Sequence, residues 1–292
     1  MKSKFKKSLA MVLALSCMVI GFSACGEKAS VNTSAETTVS SAKATVSSGI
    51  IDTIKKNGVL VLGTASGYPP YEFVSVADGG AVIGIDIQMG QAIADKLGVK
   101  LKVIDMPFGE LIATLATGKC DIAIAGMPET EEKAKSVDFS EVYINDEQSI
   151  IVRKADIDKY KTLADFKGKK IGVEKGSSCE GVAIKEIPDA TLVSLAKVPD
   201  IFLELKNSKI DAIVIAKVVG TQYIVNDASL TFSNDTVVFV NKDKPCQAAV
   251  KKGNAEFLVV VNEVIKENQD NGNFEKWIDE YCKKANEQGS NT

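Results

Sequence analysis

The chain has 292 residues, 45% of them hydrophobic and 25% charged, with a formal net charge of −3 and no histidine. That length and apolar share support about two packed domains, and the missing histidine excludes His-based triads, His general bases and His metal ligands. No basic excess exists to meet a phosphate backbone, so nucleic acid is not an expected partner.

Residues 1 to 7 carry Lys2, Lys4, Lys6 and Lys7, and an apolar run follows from Leu9 to Ala24. A basic start before a run too short for the roughly 20 residues of a bilayer-spanning helix reads as a secretory signal over 1–24. Ser23-Ala24-Cys25-Gly26 then resembles a bacterial lipobox, with Cys25 as the lipidated mature N-terminus; Phe22 stands where Leu is usual. Cys17 is a poorer candidate, because cleavage there would halve the apolar run. Removal of 1–24 leaves 31 basic against 38 acidic residues, a net charge of −7. Residues 25–49 are rich in Ser and Thr, lack aromatics and read as a tether.

Folded sequence starts near Ile50. Val59–Thr64 reads as a buried strand and Asp86–Leu97 as a helix stopped by Gly98. Leu101–Ile104 is a strand, Leu111–Ala116 a helix before Gly118, and Asp121–Ala125 a strand. A second series repeats the alternation: strand Lys170–Val173, a Gly176-Ser177-Ser178 loop entering a helix, strand Leu192–Leu195, helix Pro199–Leu205 and strand Asp211–Ile215. This is the pattern of parallel sheets covered by helices. Leu115-x-x-x-Lys119-x-Asp121 recurs as Leu205-x-x-x-Lys209-x-Asp211, each copy reading as helix, turn and buried strand. Ligands in open α/β sheets sit outside the carboxyl ends of strands, so two such units face to face would form one cleft. Asp121 and Asp211 fall at the opposite strand ends and read as structural. The stripes Phe257, Val260, Val261, Val264, Ile265 and then Phe274, Trp277, Ile278, Tyr281 predict two C-terminal packing helices.

Tyr68-Pro69-Pro70-Tyr71-Glu72-Phe73, Gly84-Ile85-Asp86, Gly126-Met127-Pro128-Glu129-Thr130-Glu131-Glu132-Lys133, Val137-Asp138-Phe139-Ser140 and Lys167-Gly168-Lys169-Lys170-Ile171-Gly172-Val173 follow in that order. Together they resemble the solute-binding proteins of amino-acid ABC transporters, the family 3 extracellular binding proteins, from about Ile50 to Ala285. The resemblance implies an α/β fold of the type II periplasmic-binding-protein kind, with two α/β sandwich lobes joined by two hinge segments. Lobe 1 would comprise 50–153 plus 241–285 and lobe 2 154–240, with 286–292 a tail. Hinges would lie at Ser149–Arg153 and Val237–Asn241. It also implies a monomer, lipid-anchored on the outer face of the bacterial membrane, that closes on a small amino acid and docks on an ABC permease, with no cofactor and no metal.

By the same resemblance, Tyr68 and Phe108 would sandwich the ligand side chain; flat rings give broad contact and attract cationic groups. Thr130-Glu131-Glu132 reads as a helix start, which puts Lys133 in its first turn. The family has Arg there to grip the ligand α-carboxylate, and Lys is a point charge without that fork. Ser177 and Ser178 match the loop that supplies lobe 2 donors. Met127 follows Gly126, whose carbonyl would face a ligand amine. The acids usual at the amine end are absent, with Ala65 and Ala216 in their places, while Glu72, Glu129 and Glu180 are candidates that sequence does not decide among. Either an amino acid is held by a rearranged amine site, or the ligand is a carboxylate lacking the amine, a keto acid or dicarboxylate. Catalysis is a weaker alternative, since a general acid would have to be Glu, Asp or Lys and no paired-carboxylate motif stands out. Cys120, Cys179, Cys246 and Cys282 show no metal spacing. Cys179 adjoins the serine loop, and their pairing is open.

Overall fold

A computed structural model of the chain describes residues 49–289, apart from 235, 236, 238 and 241. The expected signal segment, Cys17, Cys25, the tether up to residue 48 and residues 290–292 lie outside the described residues, as does Asn241 at the second expected hinge. Among the described residues no helix is long and apolar enough to cross a membrane.

The body opens with α1 (Ile50–Asn57), β1 (Val59–Thr64), a small ribbon of β2 (Phe73–Ser75) and β3 (Ala81–Ile83), α2 (Ile85–Leu97), β4 (Lys100–Asp105), α3 (Leu111–Ala116) and β5 (Ile122–Met127). A long strand, β6 (Val137–Arg153), leads to β7 (Lys170–Glu174), α4 (Ser178–Glu186), β8 (Thr191–Leu195), α5 (Val198–Lys206), β9 (Ala212–Ala216), α6 (Lys217–Asn226) and β10 (Leu230–Phe232). The chain closes with β11 (Asp243–Lys251), α7 (Ala255–Asp270) and α8 (Asn273–Gly289). Elements with strong apolar periodicity form where expected, with ends shifted by a residue or two. The helix expected after Thr130 is a single 3-10 turn at Lys133–Lys135, its first N–H held by Thr130 Oγ1. Helix α8 continues through 286–289 rather than stopping at Ala285.

Two sheets share one strand. In the first lobe β4, β1 and β5 are parallel, and β11 lies antiparallel between β5 and β6. In the second, β8, β7 and β9 are parallel, with β9 antiparallel to β6 and β10 on the other side of β6. Strand β6 pairs with β11 up to Glu147 and with β9 from Gln148 to Val152. The change of partner thus falls at Glu147–Gln148, ahead of the Ser149–Arg153 stretch. The return passage lies beside it, where Gln148 N donates to Lys242 O at 2.6 Å. Asp146 accepts from Val218 N at the start of α6 and from Tyr71 Oη, so one buried carboxylate ties the crossing to both lobes.

One apolar cluster runs through both lobes, from Leu60, Ile93 and Phe257 in the first to Ile201, Ile213 and Ile215 in the second. Smaller clusters fill the outer faces around Phe166 and Leu111. The lobes are in direct contact. Tyr223 Oη donates to Gly67 O at 2.9 Å, and Lys197 Nζ reaches Asp105 Oδ1 at 3.0 Å. Gly67 permits this approach, since a Cβ there would meet Pro199 Cδ at 2.7 Å. Helix α8 spans the junction, with Tyr281 against Phe73 and Ala285 O accepting from Asn226.

Candidate ligand-binding cleft

The cleft lies at the carboxyl ends of β1, β5, β7 and β9, where backbone groups point away from their own sheets. The lobes meet there around a small cavity bordered by Tyr68 from the first lobe and by Glu174, Ser177, Cys179, Ile201 and Ile213 from the second. Tyr68 is held by its backbone pairing with Glu72 around the Pro69–Pro70 turn, and its ring packs on Tyr71 with centroids 5.8 Å apart. Gly126 leaves the end of β5 with φ +49, under the Tyr68 ring. Its N–H donates to Asp86 Oδ2 at 2.7 Å, and the other Asp86 oxygen accepts from Tyr143 Oη at 2.8 Å.

The Gly126 carbonyl, read from sequence as facing a ligand amine, is already engaged. It accepts from Lys244 Nζ. Lys244 is 3% exposed, and its ammonium lies 5.3 Å from the Tyr68 ring centroid and 5.9 Å from that of Tyr71. Burial opposes its charge, but Cys246, Cys179, Asp146 and Glu72 around it more than offset that and raise its pKa above the ordinary lysine value. Burial pushes the Cys246 thiol up to about 11 and the Cys179 thiol up to about 12, so near neutral pH both are protonated and the lasting counter-charge comes from carboxylate.

Lys133 stands on the first lobe as well, in the 3-10 turn that follows β5. Its Nζ is buried without a hydrogen-bond partner among the described residues and lies 5.1 Å from the Phe108 ring centroid. Burial, then the nearby Lys244 charge, lowers its pKa to about 8. Ser177 caps α4 by accepting from Glu180 N at 3.2 Å, whereas Ser178 Oγ is buried with no partner among the described residues. Glu174, at the end of β7, is raised to about 8 by burial, against the fields of Lys244, Lys197 and Lys133. The charges acting on it come from both lobes, Lys244 and Lys133 on the first and Lys197 on the second.

The remaining expected residues divide. Met127 is fully buried among Phe108, Leu111 and Val137 and packs rather than lines the cavity. Ala216 ends β9 opposite Gln148. Glu72 is buried with Oε2 unpartnered among the described residues; burial and the neighbouring Asp86 carboxylate raise its pKa well above the usual range. Glu129 is exposed, and Glu180 is engaged with Gly176 N and Ser194 Oγ. Lys244 and Glu174 went unnoticed in the sequence. Lys244 lies on β11, where every residue from Cys246 to Val250 is buried as well. The four described cysteines are free thiols. Among the described residues no group of three or more His, Cys, Asp or Glu is placed to hold a metal ion.

A buried, charged cavity between two α/β lobes that share a crossing strand defines a two-lobed solute-binding protein of the type II periplasmic class. The sequence model of the bacterial extracellular solute-binding proteins, family 3, matches residues 60–284, and the chain belongs to that family. The arginine-binding extracellular protein of Bacillus subtilis (strain 168) is 29% identical over 219 residues, 74% of this chain and 83% of that protein. The glutamine-binding protein of an ABC transporter in the same organism is 29% identical over 283 residues, 94% of this chain and 98% of its own. An L-arginine-bound crystal structure of an amino-acid ABC transporter substrate-binding protein from Streptococcus pneumoniae is 34% identical, covers 80% of this chain and 98% of its own, and superposes with a TM-score of 0.76.

Proposed function

We propose that the chain captures a small amino acid outside the cytoplasmic membrane and hands it, in a closed two-lobed complex, to an ABC permease whose partner subunit hydrolyses ATP. The observation that carries this reading is the pairing of unpartnered buried donors, Lys133 Nζ and Ser178 Oγ, with the Tyr68 and Phe108 rings at the meeting of the lobes. A ligand carboxylate would satisfy donors that otherwise cost the fold their desolvation. The crossings at Glu147–Gln148 and Lys242 are the natural hinge, because each lobe keeps its own sheet while they bend. The protein would work as a monomer, tethered by a lipid on Cys25 after removal of 1–24, and bind its ligand without turning it over.

Identification of the ligand released on denaturing the purified protein tests the class directly. Calorimetric titration then tests the site. Tyr68→Ala and Lys133→Ala should each weaken binding by about 1–3 kcal/mol, the usual loss for a buried anchor. Wild-type affinity in both would place the cleft elsewhere. The second reading, a carboxylate without an amine, is favoured by one observation, the Gly126 carbonyl already held by Lys244. Tighter binding of deaminated acids than of matched amino acids would select it.

A further inference from the structure

The two lobes also touch outside the cavity. Strand order runs β4-β1-β5-β11-β6 through the first lobe and β6-β9-β7-β8 through the second, so β4 and β8 are the terminal strands and β6, with the hinge, lies between them. A charge pair joins these far ends. Asp105 is the last residue of β4, and Lys197 stands between β8 and α5, whose start is fixed by Pro199 in its first turn. Lys197 Nζ lies 3.0 and 3.2 Å from the two Asp105 oxygens, 3.4 Å from Met106 O and 3.5 Å from Ser66 O, all of them on the first lobe.

The receiving half of the pair is built by the first lobe alone. Ser66 N donates to Asp105 Oδ1 at 2.7 Å and Ser66 Oγ to Oδ2 at 2.8 Å, which orients the carboxylate towards its partner. Burial opposes the Asp105 charge, but the Ser66 bonds and Lys197 more than offset it and lower its pKa below the ordinary aspartate value. Beside the pair, Tyr223 Oη donates to Gly67 O at 2.9 Å. Asp105, Lys197 and Tyr223 line an outer groove with Pro199, whereas the cavity is bordered by Tyr68 and Val198. Lys197 is thus next to a cavity residue in sequence without bordering the cavity itself. Opening about β6 separates β4 from β8, and so breaks every contact that Lys197 makes with the first lobe.

We propose that Lys197 is the latch of the closed complex: through Asp105 it holds the lobes together and sets how fast a bound amino acid leaves, without choosing among ligands. This rests on the amino-acid reading above and adds to it the residue that keeps the complex shut. Lys197 is a positioning residue, since it acts on the ligand only through closure. Release requires opening, so a contact made only in the closed form slows the release of every ligand by the same factor. The side chains of the pair are 29% and 36% exposed. For an ion pair so open to water the factor is modest, about three- to fivefold.

The full chain, exhaustively dialysed, is screened calorimetrically against the common L-amino acids, and the release of each one that binds is timed by isotopic dilution. Lys197→Met should release all of them about three- to fivefold faster, by one shared factor. Lys197→Arg keeps the charge and the donors and should release them within about twofold of the wild-type rate. Asp105→Asn should speed release as Lys197→Met does, and the double variant no further, because both changes remove one contact. Should Lys197→Met fail to fold by circular dichroism, Lys197→Gln, which keeps a polar head without the charge, decides in its place. Unchanged release in the folded neutral variant, a change confined to one amino acid among several that bind, release from Lys197→Arg as fast as from the neutral variant, or additive acceleration in the double variant would each overturn this inference and leave the amino-acid reading standing. Binding of none of the amino acids would overturn both.

Discussion

The two lobes contain the same helix–turn–strand unit, and its two ends behave differently. At the amino ends of the strands the copies are superposable in their bonding. Asp121 Oδ2 accepts from Val61 N at 2.8 Å and its own N–H donates back to Val61 O at 2.8 Å; Asp211 does the same with Lys170, again at 2.8 Å both ways. At the carboxyl ends the copies part. One residue before the end of β5, Gly126 has its N–H and carbonyl held by Asp86 and Lys244, while β9 ends in Ala216 and turns straight into α6. The charged group on the second lobe comes instead from the neighbouring strand, as Glu174. Structural bonding is repeated where neighbouring parallel strands begin, and chemistry diverges where the lobes face each other.

The largest effect should come from breaking the first lobe's carboxyl end. Asp86→Ala would leave Gly126 N and the Tyr143 hydroxyl buried without an acceptor and strip Lys244 of a counter-charge. A loss of about 3–5 kcal/mol is expected, measured by urea unfolding, as for removal of one partner from a buried charged network. A loss below 1 kcal/mol would mean that this end is no more organised than its counterpart.

The second lobe's Glu174 makes a pH-dependent contribution. Its folded pKa of about 8 stands above the ordinary 4.5, so the folded chain keeps a proton that the unfolded chain has released. The stability from this group is complete below about 4.5 and is lost as pH rises towards 8, by at most about 4 kcal/mol between pH 5 and 8. Glu174→Gln, which stays neutral, should match the wild type near pH 5 and exceed it at pH 8 in ligand-free thermal unfolding. Equal melting temperatures at both pH values would remove the buried acid from the cleft.

The smallest effects sharpen the likeness. Asp121→Ala should cost about 1–2 kcal/mol, because it leaves the part-buried Val61 N–H without its acceptor, and Asp211→Ala less, because the Lys170 N–H it frees is exposed to water. Binding affinity should not move in either, since both lie at the strand ends away from the cleft. A binding loss in one alone would show that the copies differ at both ends.

Periodicity made the α/β alternation legible because its strands are short, apolar runs and its helices carry Gly stops, as at Gly98 and Gly118. Motif order made the family legible. The long crossing strand β6 was not, since its charged residues and shift between two partners mask a simple alternation. Tyr68, Phe108, Lys133 and Ser177 could be singled out because they sit on local motifs. Lys244 and Glu174 could not, because their importance comes from what lies across the chain: Gly126 is 118 residues from Lys244.

The sequence by itself determined the alternating lobes, the acidic mature charge and the missing acids at Ala65 and Ala216, since each is written in local pattern or composition. Only the tertiary structure decided which charges fill the cleft. Burial strength and counter-charge depend on neighbours brought together by folding, and that is why a lysine far along the chain donates to the Gly126 carbonyl.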